Sequence, residues 1–155
     1  MPDVGALTAA LDSRGVEYEL LEHERTERAA DEATALGLRS DEVAKTIVVS
    51  TKGGNVRVVV PAAERIDMHK LREFLAAGKE LHLLTEEALE AGYPGFELGA
   101  VPPLGGPDDP VIVDRRVAEL DRVVFEAGTH DSSVRVAAAD LVSVTGARVA
   151  DVCAD

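Results

Sequence analysis

The sequence predicts an α+β domain in which helices surround a mixed β-sheet. Short apolar strands alternate irregularly with amphipathic helical segments, a pattern typical of a sheet covered by helices. Two β-branched runs are separated by so few residues that they must pair antiparallel as a hairpin. With 155 residues and no linker or internal repeat, we expect residues 1–155 to form a single domain.

The composition is that of a globular protein whose core is built from small aliphatic residues. Hydrophobic residues make up 46% of the chain but aromatic residues only 3%, so Val, Leu, Ile and Ala must fill the core. Cys153 is the one cysteine, which excludes an intrachain disulfide and is typical of a reducing cytoplasm. No apolar run is long enough to span a bilayer, so we expect no membrane association and a cytoplasmic location.

The first half of the chain predicts helices and strands in alternation, followed by the hairpin. The elements are a helix over 4–11 before Gly15, a strand over 16–21, a helix from a Thr26 cap to Gly37, and a short helix capped by Ser40. The hairpin strands follow over 47–51 and 56–60, with a turn over 52–55 that contains two glycines.

The second half predicts a similar mixture. Its elements are a helix over 66–75, a strand over 81–84, a helix over 86–91 that Thr85 caps and Gly92 closes, a strand over 111–113, strands over 123–127 and 134–136 around a polar loop, a helix over 137–144 and a short terminal strand.

A loop rich in glycine and proline occupies residues 92–105. Four glycines and three prolines fall within these fourteen positions. Glycine permits positive φ and lets a ligand approach the backbone, whereas proline fixes φ, so the segment predicts a rigid loop with bare backbone. Composition alone leaves open whether the loop only connects two elements or also binds a ligand.

Several common kinds of site are excluded. No Gly-x-Gly-x-x-Gly follows a strand, no Lys-Ser or Lys-Thr follows the loop glycines, and no serine nucleophile elbow occurs. The histidines lack metal-ligand spacing, so we expect neither a metal nor a cofactor. They are His23, His69 and His82, which we interpret as structural or surface residues, and His130.

The chain is strongly acidic, with a formal net charge of -13. Such a surface repels nucleic acid at long range, so any RNA contact must be local. The basic residues of the first half are interleaved with carboxylates, and solvated ion pairs explain most of them. They are Arg25, Arg28, Arg39, Lys45, Lys52, Arg57, Arg65, Lys70 and Arg72.

Lys45 has a distinctive position among these basic residues. It lies where the short helix from Ser40 meets an apolar strand, so its ammonium group can emerge at a sheet edge. A lysine near the end of a helix also stabilises the helix dipole, so a purely structural role stays open. Thr46 is either an ordinary strand residue or a hydroxyl that lines the same opening.

Taken in order, these residues resemble a known family. Each motif alone is weak, but the ordered set is specific: Val43–Val49, the strand that ends at Pro61, the Gly95-x3-Gly99-x3-Pro103 loop with Leu104-Gly105, Val113-Asp114, and the Gly128 loop before Val134–Val136. Over roughly residues 16–146 the chain is similar to the YbaK/EbsC family, the free-standing relatives of the editing domain inserted in bacterial prolyl-tRNA synthetases.

The resemblance implies a partly barrel-like mixed sheet and hydrolysis of the ester that joins a wrong amino acid to the 3′ end of a tRNA. The implied ligand is the 3′ aminoacyl-adenosine end, with an aminoacyl-tRNA synthetase as a further candidate partner. Lys45 matches the family's key lysine, which would bind the terminal adenosine phosphate. Gly95 and Gly99 match loop glycines whose backbone would approach the ester carbonyl. The nucleophile would be a positioned water or a substrate group.

The resemblance also supplies the other candidate site residues. Gly99 and Ala100 would act with Lys45 in catalysis, and the substrate-binding set is Thr46, Gly95, Val101, Pro102, Pro103, Asp114 and His130. A capping or turn role for Asp114 and an exposed loop position for His130 stay open. Pro102 replaces a serine of many members and Ala100 a frequent glycine, so the edited amino acid stays open among Ala, Pro, Cys and Ser.

A function of another class is also consistent with the sequence. A non-catalytic binding module would keep the fold and recognise aminoacyl-tRNA or a synthetase without hydrolysis. The acidity and the small number of lysines favour this alternative, whereas Lys45 together with the glycine loop favours the enzyme. We expect a monomer or a weak dimer, because self-repulsion of an acidic chain opposes assembly.

Overall fold

The computed structural model describes residues 2–155, and residue 1 of the predicted domain lies outside the described part. The helices of this part are α1 (Gly5–Ser13), α2 (Ala29–Leu36), α3 (Met68–Leu75), α4 (Glu86–Gly92), α5 (Arg115–Ala118) and α6 (Ala138–Thr145). The strands are β1 (Tyr18–Glu22), β2 (Ala44–Thr51), β3 (Gly54–Pro61), β4 (His82–Leu83), β5 (Val111–Asp114), β6 (Arg122–Thr129), β7 (Ser132–Ala137) and β8 (Arg148–Ala150). A 3-10 turn, Ser40–Glu42, precedes β2.

The strands form two open sheets, and their mixed pairing confirms the predicted α+β class. One sheet is antiparallel throughout, in the order β1-β7-β6. The other has the order β4-β2-β3-β5-β8, in which β2 pairs antiparallel with β3 and β4 while β5 pairs parallel with β3 and β8. Where the resemblance implied one partly barrel-like sheet, the chain has two sheets that touch along one edge.

The two sheets meet at a parallel bridge between Val43 and Val124, which we call the seam. Val43 directly precedes β2 and Val124 lies in β6. Because side chains alternate along a strand, the residues two positions further on, Lys45 and Glu126, lie on the same side as the bridge residues. The seam therefore places a basic and an acidic residue on neighbouring strands.

Apolar clusters cover both faces of the five-stranded sheet. Along β3, Val58 and Val60 share a cluster with Leu71 of α3, whereas Val59 belongs to the cluster formed with α1 and α6. This alternation is that of a strand buried on both faces. A separate cluster between α2 and the seam includes Ala33. The helices thus hold both sheets in place around the seam.

Two elements begin at other residues than the sequence predicts. Thr26 does not cap α2, because its amide and hydroxyl both donate to the carbonyl oxygen of His130, and α2 begins after Arg28. β2 begins at Ala44, so Lys45 is a strand residue and does not end a helix. A helix-dipole role for Lys45 is therefore excluded.

Two predicted loops are shorter than expected, because strand pairing extends into them. In the first hairpin only Lys52 and Gly53 separate the paired residues of β2 and β3. In the second, β6 continues to Thr129 and β7 begins at Ser132, which leaves a tight turn that contains His130. The shorter turn fixes the position of this histidine.

A buried arginine holds the glycine-proline loop. The sequence groups Arg57 of β3 with the solvated basic residues, which is wrong, because the residue is fully buried. Its guanidinium donates to the carbonyl oxygens of Pro102 at 2.8 Å, Gly105 at 2.6 Å and Pro107 at 3.0 Å. Asp109 supplies the opposite charge, with Oδ1 2.8 Å from Nε. One side chain thus fixes the second half of the loop.

Tyr93 connects the first half of the loop to the same arginine. Its ring centroid lies 5.0 Å from Cζ of Arg57, and its hydroxyl donates to Asp109. A guanidinium over an aromatic face is attracted by the ring quadrupole. The cation on β3 therefore joins the residue that follows α4 to the segment that enters β5.

Removal of the Arg57 charge should destabilise the fold strongly. In Arg57→Met, Asp109 loses its buried partner, and breaking a buried ion pair costs about 3–5 kcal/mol. Arg122→Met is the matched control, because its ion pair with Glu19 is exposed and contributes at most about 1 kcal/mol. The measurement is the free energy of unfolding from urea titrations. Equal losses in the two variants would contradict the central role of Arg57.

Candidate functional site

A cavity of about 510 Å³ lies between the beginning of β2 and the loop that follows α4. Its volume is within the range of about 300–1,000 Å³ that is usual for small-molecule sites. Most of its lining is apolar, as in other ligand sites. The lining residues are Glu27, Arg28, Ala29, Ala30, Ala44, Lys45, Thr46, Ile47, Val48, Ala62, Leu83, Leu84, Leu89, Gly99, Val101, Phe125 and Glu126.

Lys45 is a half-buried cation in this lining. Burial lowers the pKa of its ammonium group and outweighs the effect of each neighbouring charge. No carboxylate of residues 2–155 forms an ion pair with it, whereas Lys70 is held by Asp151 and Asp155. An unpaired and partly desolvated ammonium group is suited to binding an anion.

Thr46 brings an unsatisfied hydroxyl to the same lining. Its Oγ1 is enclosed and has no hydrogen-bond partner among the residues that the structure describes. An unpaired buried polar group costs about 1–3 kcal/mol, so such groups usually bond to water or to a ligand. Thr46 is thus both a β2 residue and part of the lining, with its hydroxyl oxygen enclosed by protein.

The opposite part of the lining comes from the glycine-proline loop. Gly99 has a φ of 85°, which favours glycine, and a Cβ atom there would lie 3.4 Å from the His130 ring. The amide of Ala100 donates to the carbonyl oxygen of Glu97 and closes a turn. The amides of Gly99 and Val101 donate to no other described residue. Two residues of the lining therefore have amides without a described partner.

Other predicted loop residues lie outside this lining, namely Gly95, Ala100, Pro102 and Pro103. Ala100 is buried within the turn, and Pro102 is held by Arg57. Gly95 has no positive φ, and a Cβ atom there would meet no neighbour within 4 Å. Nothing in the backbone around Gly95 therefore requires a glycine.

Asp114 has a structural role. Its side chain is fully buried and caps α5 by accepting a hydrogen bond from the Arg116 amide at 3.0 Å. It also accepts from the amide of Val152 at 3.0 Å. The capping alternative is therefore the one that the structure shows, and Asp114 does not line the cavity.

His130 is 2% exposed, so the exposed loop position considered for it is wrong. Its Nε2 lies 2.6 Å from the carbonyl oxygen of Leu98 and must donate, because a carbonyl only accepts. Its Nδ1 lies 2.8 Å from Oε2 of Glu126. His130 does not line the cavity itself but packs behind Gly99 and connects the loop to Glu126.

Glu126 is a cavity residue that the sequence analysis missed. It lies within the apolar run of β6, lines the cavity and is 7% exposed. Burial raises its pKa to about 9, and the charges of Glu32, Glu97 and Glu27 add to this effect. The protonated Oε2 then donates to Nδ1 of His130. The sequence feature that could have identified Glu126 is a carboxylate within an otherwise apolar strand.

A β-bulge follows Glu126. The pairing of β6 with β7 shifts between Glu126 and Thr129. Gly128, within this interval, has a φ of 100°, and a Cβ atom there would lie 2.8 Å from the Phe96 ring. Only glycine fits this backbone. Bulges redirect neighbouring side chains, which is consistent with a charged residue turned toward the cavity.

Metal and membrane sites are not found in the described part of the chain. Residues 2–155 contain no group of three or more His, Cys, Asp or Glu side chains arranged to hold a metal ion. In the same range, each helix is too short or too polar to traverse a bilayer.

The fold is an α+β domain whose cavity is lined by an unpaired lysine, by loop residues with unpaired amides and by a buried carboxyl. The chain belongs to the aminoacyl-tRNA editing domain family, whose model matches residues 23–144. This match covers most of the chain and confirms the resemblance seen in the sequence.

Solved structures share the whole fold. The crystal structure of a protein proposed to be a trans-editing enzyme for prolyl-tRNA synthetase has a TM-score of 0.90 and 26% identity, covering 100% of this chain and 99% of that one. A hypothetical protein has a TM-score of 0.87 and 26% identity, covering 96% of this chain and 99% of its own. A scaffold protein from computational epitope grafting has a TM-score of 0.89 and 25% identity, covering 100% of this chain and 99% of its own. No curated protein matches the chain significantly.

Stability should fall as the pH rises from about 5 to about 9. Folded Glu126 keeps its proton up to about pH 9, whereas the unfolded carboxyl loses it above a pKa of about 4.3, so ionisation opposes folding across this interval. Burial raises the pKa of Glu32 to about 7, so ionisation of Glu32 also opposes folding in the lower part of this pH interval. The free energy of unfolding should therefore decline less steeply with pH in Glu126→Gln than in the wild type. Glu90→Gln, an exposed substitution on α4, should keep the wild-type slope.

Proposed function

We propose that this chain is an aminoacyl-tRNA deacylase, which hydrolyses the ester bond of tRNA mischarged with a small amino acid. The observation that carries the proposal is one cavity lined by unpaired Lys45 and by Gly99 and Val101, two loop residues whose amides have no described partner. Such a set suits a ligand with an anionic group and a reactive carbonyl, which the 3′ aminoacyl-adenosine end provides. Membership of the editing family supports the same ligand.

Lys45 is proposed to bind the phosphate of the terminal adenosine. Its ammonium group is partly removed from water, so part of the desolvation cost of ion pairing is met before the ligand arrives. A fixed phosphate orients the ester that follows it, and orientation of this kind accelerates reactions by lowering the entropic part of the barrier. Thr46, next to Lys45 in the lining, is proposed to contribute to substrate binding.

The amides of Gly99 and Val101 are the proposed donors to the ester oxygen. Negative charge develops on this oxygen as the tetrahedral intermediate forms, and each well-placed donor stabilises it by about 3 kcal/mol. Within the described lining, no serine, cysteine or histidine is present as a nucleophile. The attacking group is proposed to be a water or a hydroxyl of the substrate, which is sufficient for an activated ester.

The apolar lining supports a small acyl group as the substrate. Ala30, Ala44 and Val101 offer apolar contact but no hydrogen-bonding group beyond their backbones. Apolar pockets separate substrates that differ by one methylene by only about 1–3 kcal/mol. We therefore propose the class that comprises Ala, Pro, Cys and Ser, with the choice among them to be measured.

Recognition is proposed to concentrate on the 3′ end of the tRNA. A net charge of -13 disfavours extensive contact with the phosphates of the tRNA body. A synthetase that delivers the tRNA is the proposed second partner. The proposed state is a monomer or weak dimer acting in the cytoplasm.

Lys45→Ala should lower kcat/KM for deacylation by about 10- to 100-fold, the loss expected for a hydrogen bond to a charged group. The measurement is release of the labelled amino acid from alanyl-, prolyl-, cysteinyl- and seryl-tRNA. Lys52→Ala, at the exposed hairpin turn, is the control and should leave the rate unchanged. Wild-type activity in Lys45→Ala would exclude the proposed role. Binding of these tRNAs without ester loss would instead establish the non-catalytic module.

Gly99→Ala should slow deacylation by about tenfold or more, because φ of 85° is strained for alanine and the added Cβ presses on His130. Gly15→Ala is the matched control. Its φ of 68° imposes similar strain, but a Cβ atom there meets no neighbour and the residue is remote from the cavity. Both variants should lose similar stability in thermal unfolding. Equal activity of the two would show that the Gly99 backbone is not part of the site.

A further inference from the structure

The carboxyl of Glu126 is a prominent feature of the cavity that the proposed hydrolysis leaves without a role. Phosphate binding and oxyanion stabilisation use cations and donors, whereas a carboxyl provides an acceptor. Burial of a carboxyl is unfavourable unless a partner compensates for the lost hydration. Glu126 is nevertheless 7% exposed and in the lining. A ligand group is therefore a natural partner for it.

One oxygen of Glu126 is already fixed by the protein. Oε2 is bonded to Nδ1 of His130 at 2.8 Å, and His130 is anchored in turn by the carbonyl oxygen of Leu98 at 2.6 Å. These bonds hold the carboxyl in one orientation. Oε1 has no hydrogen-bond partner among the described residues, and unlike Oε1 of Glu32 it is not enclosed by protein. Oε1 is thus an oriented acceptor at the cavity.

The surroundings of Glu126 are acidic. Glu32 and Glu97 act on it most strongly, followed by Glu27, while Arg25 opposes them more weakly. Glu27 also lines the cavity. In residues 2–155, no lysine or arginine forms an ion pair with Glu126, whose side-chain hydrogen-bond partner is the His130 ring. This end of the cavity therefore attracts a cation.

An aminoacyl ester carries one cationic group, the α-ammonium, close to the reactive carbonyl. Lys45 and Glu126 follow the seam on neighbouring strands and line the same cavity. One ligand can therefore place its phosphate near the cation and its ammonium group near the carboxyl. The charges of the cavity match both charges of such a ligand.

We propose that Oε1 of Glu126 accepts a hydrogen bond from the α-ammonium group of the aminoacyl moiety, which makes Glu126 a specificity-determining residue for acyl groups with a free amine. The inference rests on the proposed function, because it takes the ligand to be an aminoacyl ester. A bond between an ammonium group and a carboxyl is charge-assisted, and the approaching cation favours the ionised carboxyl.

The test compares two ligands that cannot be hydrolysed and differ at one group. They are 3′-deoxy-3′-(alanylamino)adenosine and its lactyl counterpart, in which a hydroxyl replaces the α-amine. Dissociation constants are measured by isothermal titration calorimetry at about pH 7, where the amine is largely protonated. The wild-type chain should bind the alanyl ligand about 10- to 100-fold more tightly. In Glu126→Gln this ratio should fall at least about fivefold.

Glu90→Gln is the matched control, because it removes an exposed carboxyl of α4 that lies outside the cavity lining, and it should keep the wild-type ratio. A merely structural role of Glu126 would weaken both ligands equally and leave the ratio unchanged. Equal binding of the two ligands by the wild type, or an unchanged ratio in Glu126→Gln, would overturn the inference.

The two hypotheses can fail separately. Hydrolysis of the tRNA panel with no preference for the amine would overturn the role of Glu126 and leave the deacylase intact. A Glu126-dependent preference for the amine, without hydrolysis of any tRNA in the panel, would support the ammonium subsite and overturn the deacylase.

Discussion

The buried guanidinium of Arg57 is the interaction on which the geometry of the cavity depends. The segment from Pro102 to Pro110 contains four prolines, which offer carbonyl acceptors but no amide donors. It therefore has an excess of acceptors that strand pairing cannot satisfy. Arginine supplies up to five donors in a fixed plane, and its charge is neutralised by Asp109. Lysine has neither the reach nor the planar arrangement to bond several carbonyls at once. The loop that carries Gly99 is rigid because a strand of the sheet holds its continuation.

The fold was largely predictable from sequence, whereas the charged interior was not. The spacing of apolar residues along a strand or a helix shows which of its faces is buried. This spacing was sufficient to predict β3 and α3. Lys45 and Gly99 were found through a resemblance, since their own spacing left structural roles open. Arg57 and Glu126 were missed for a shared reason. Arg57 is paired with Asp109, which lies far away in the chain, whereas Glu126 is bonded to His130 only four residues further on, across the tight turn after β6. In both cases one sequence does not show which group compensates the buried charge.

The acidic residues of the chain affect stability differently at the surface and beside the cavity. On the surface, carboxylates pair with arginines in exposed bridges such as Arg28 with Asp31, which contribute little to stability. Beside the cavity, Glu32 and Glu126 are buried without such partners, and burial raises the pKa of both. These residues weaken the fold near neutral pH. Retaining destabilising groups at a ligand site is a usual consequence of functional preorganisation.

The seam between the sheets also determines how the site can be altered. Lys45 belongs to one sheet and Glu126 to the other, so their separation is set by the packing of Val43 and Val124 and of the small residue beside them, Ala33. A change of volume at any of these positions would widen or narrow the gap and leave both charged groups chemically intact. The proposed selectivity for the acyl group could therefore be changed from behind the cavity, by residues that do not line it.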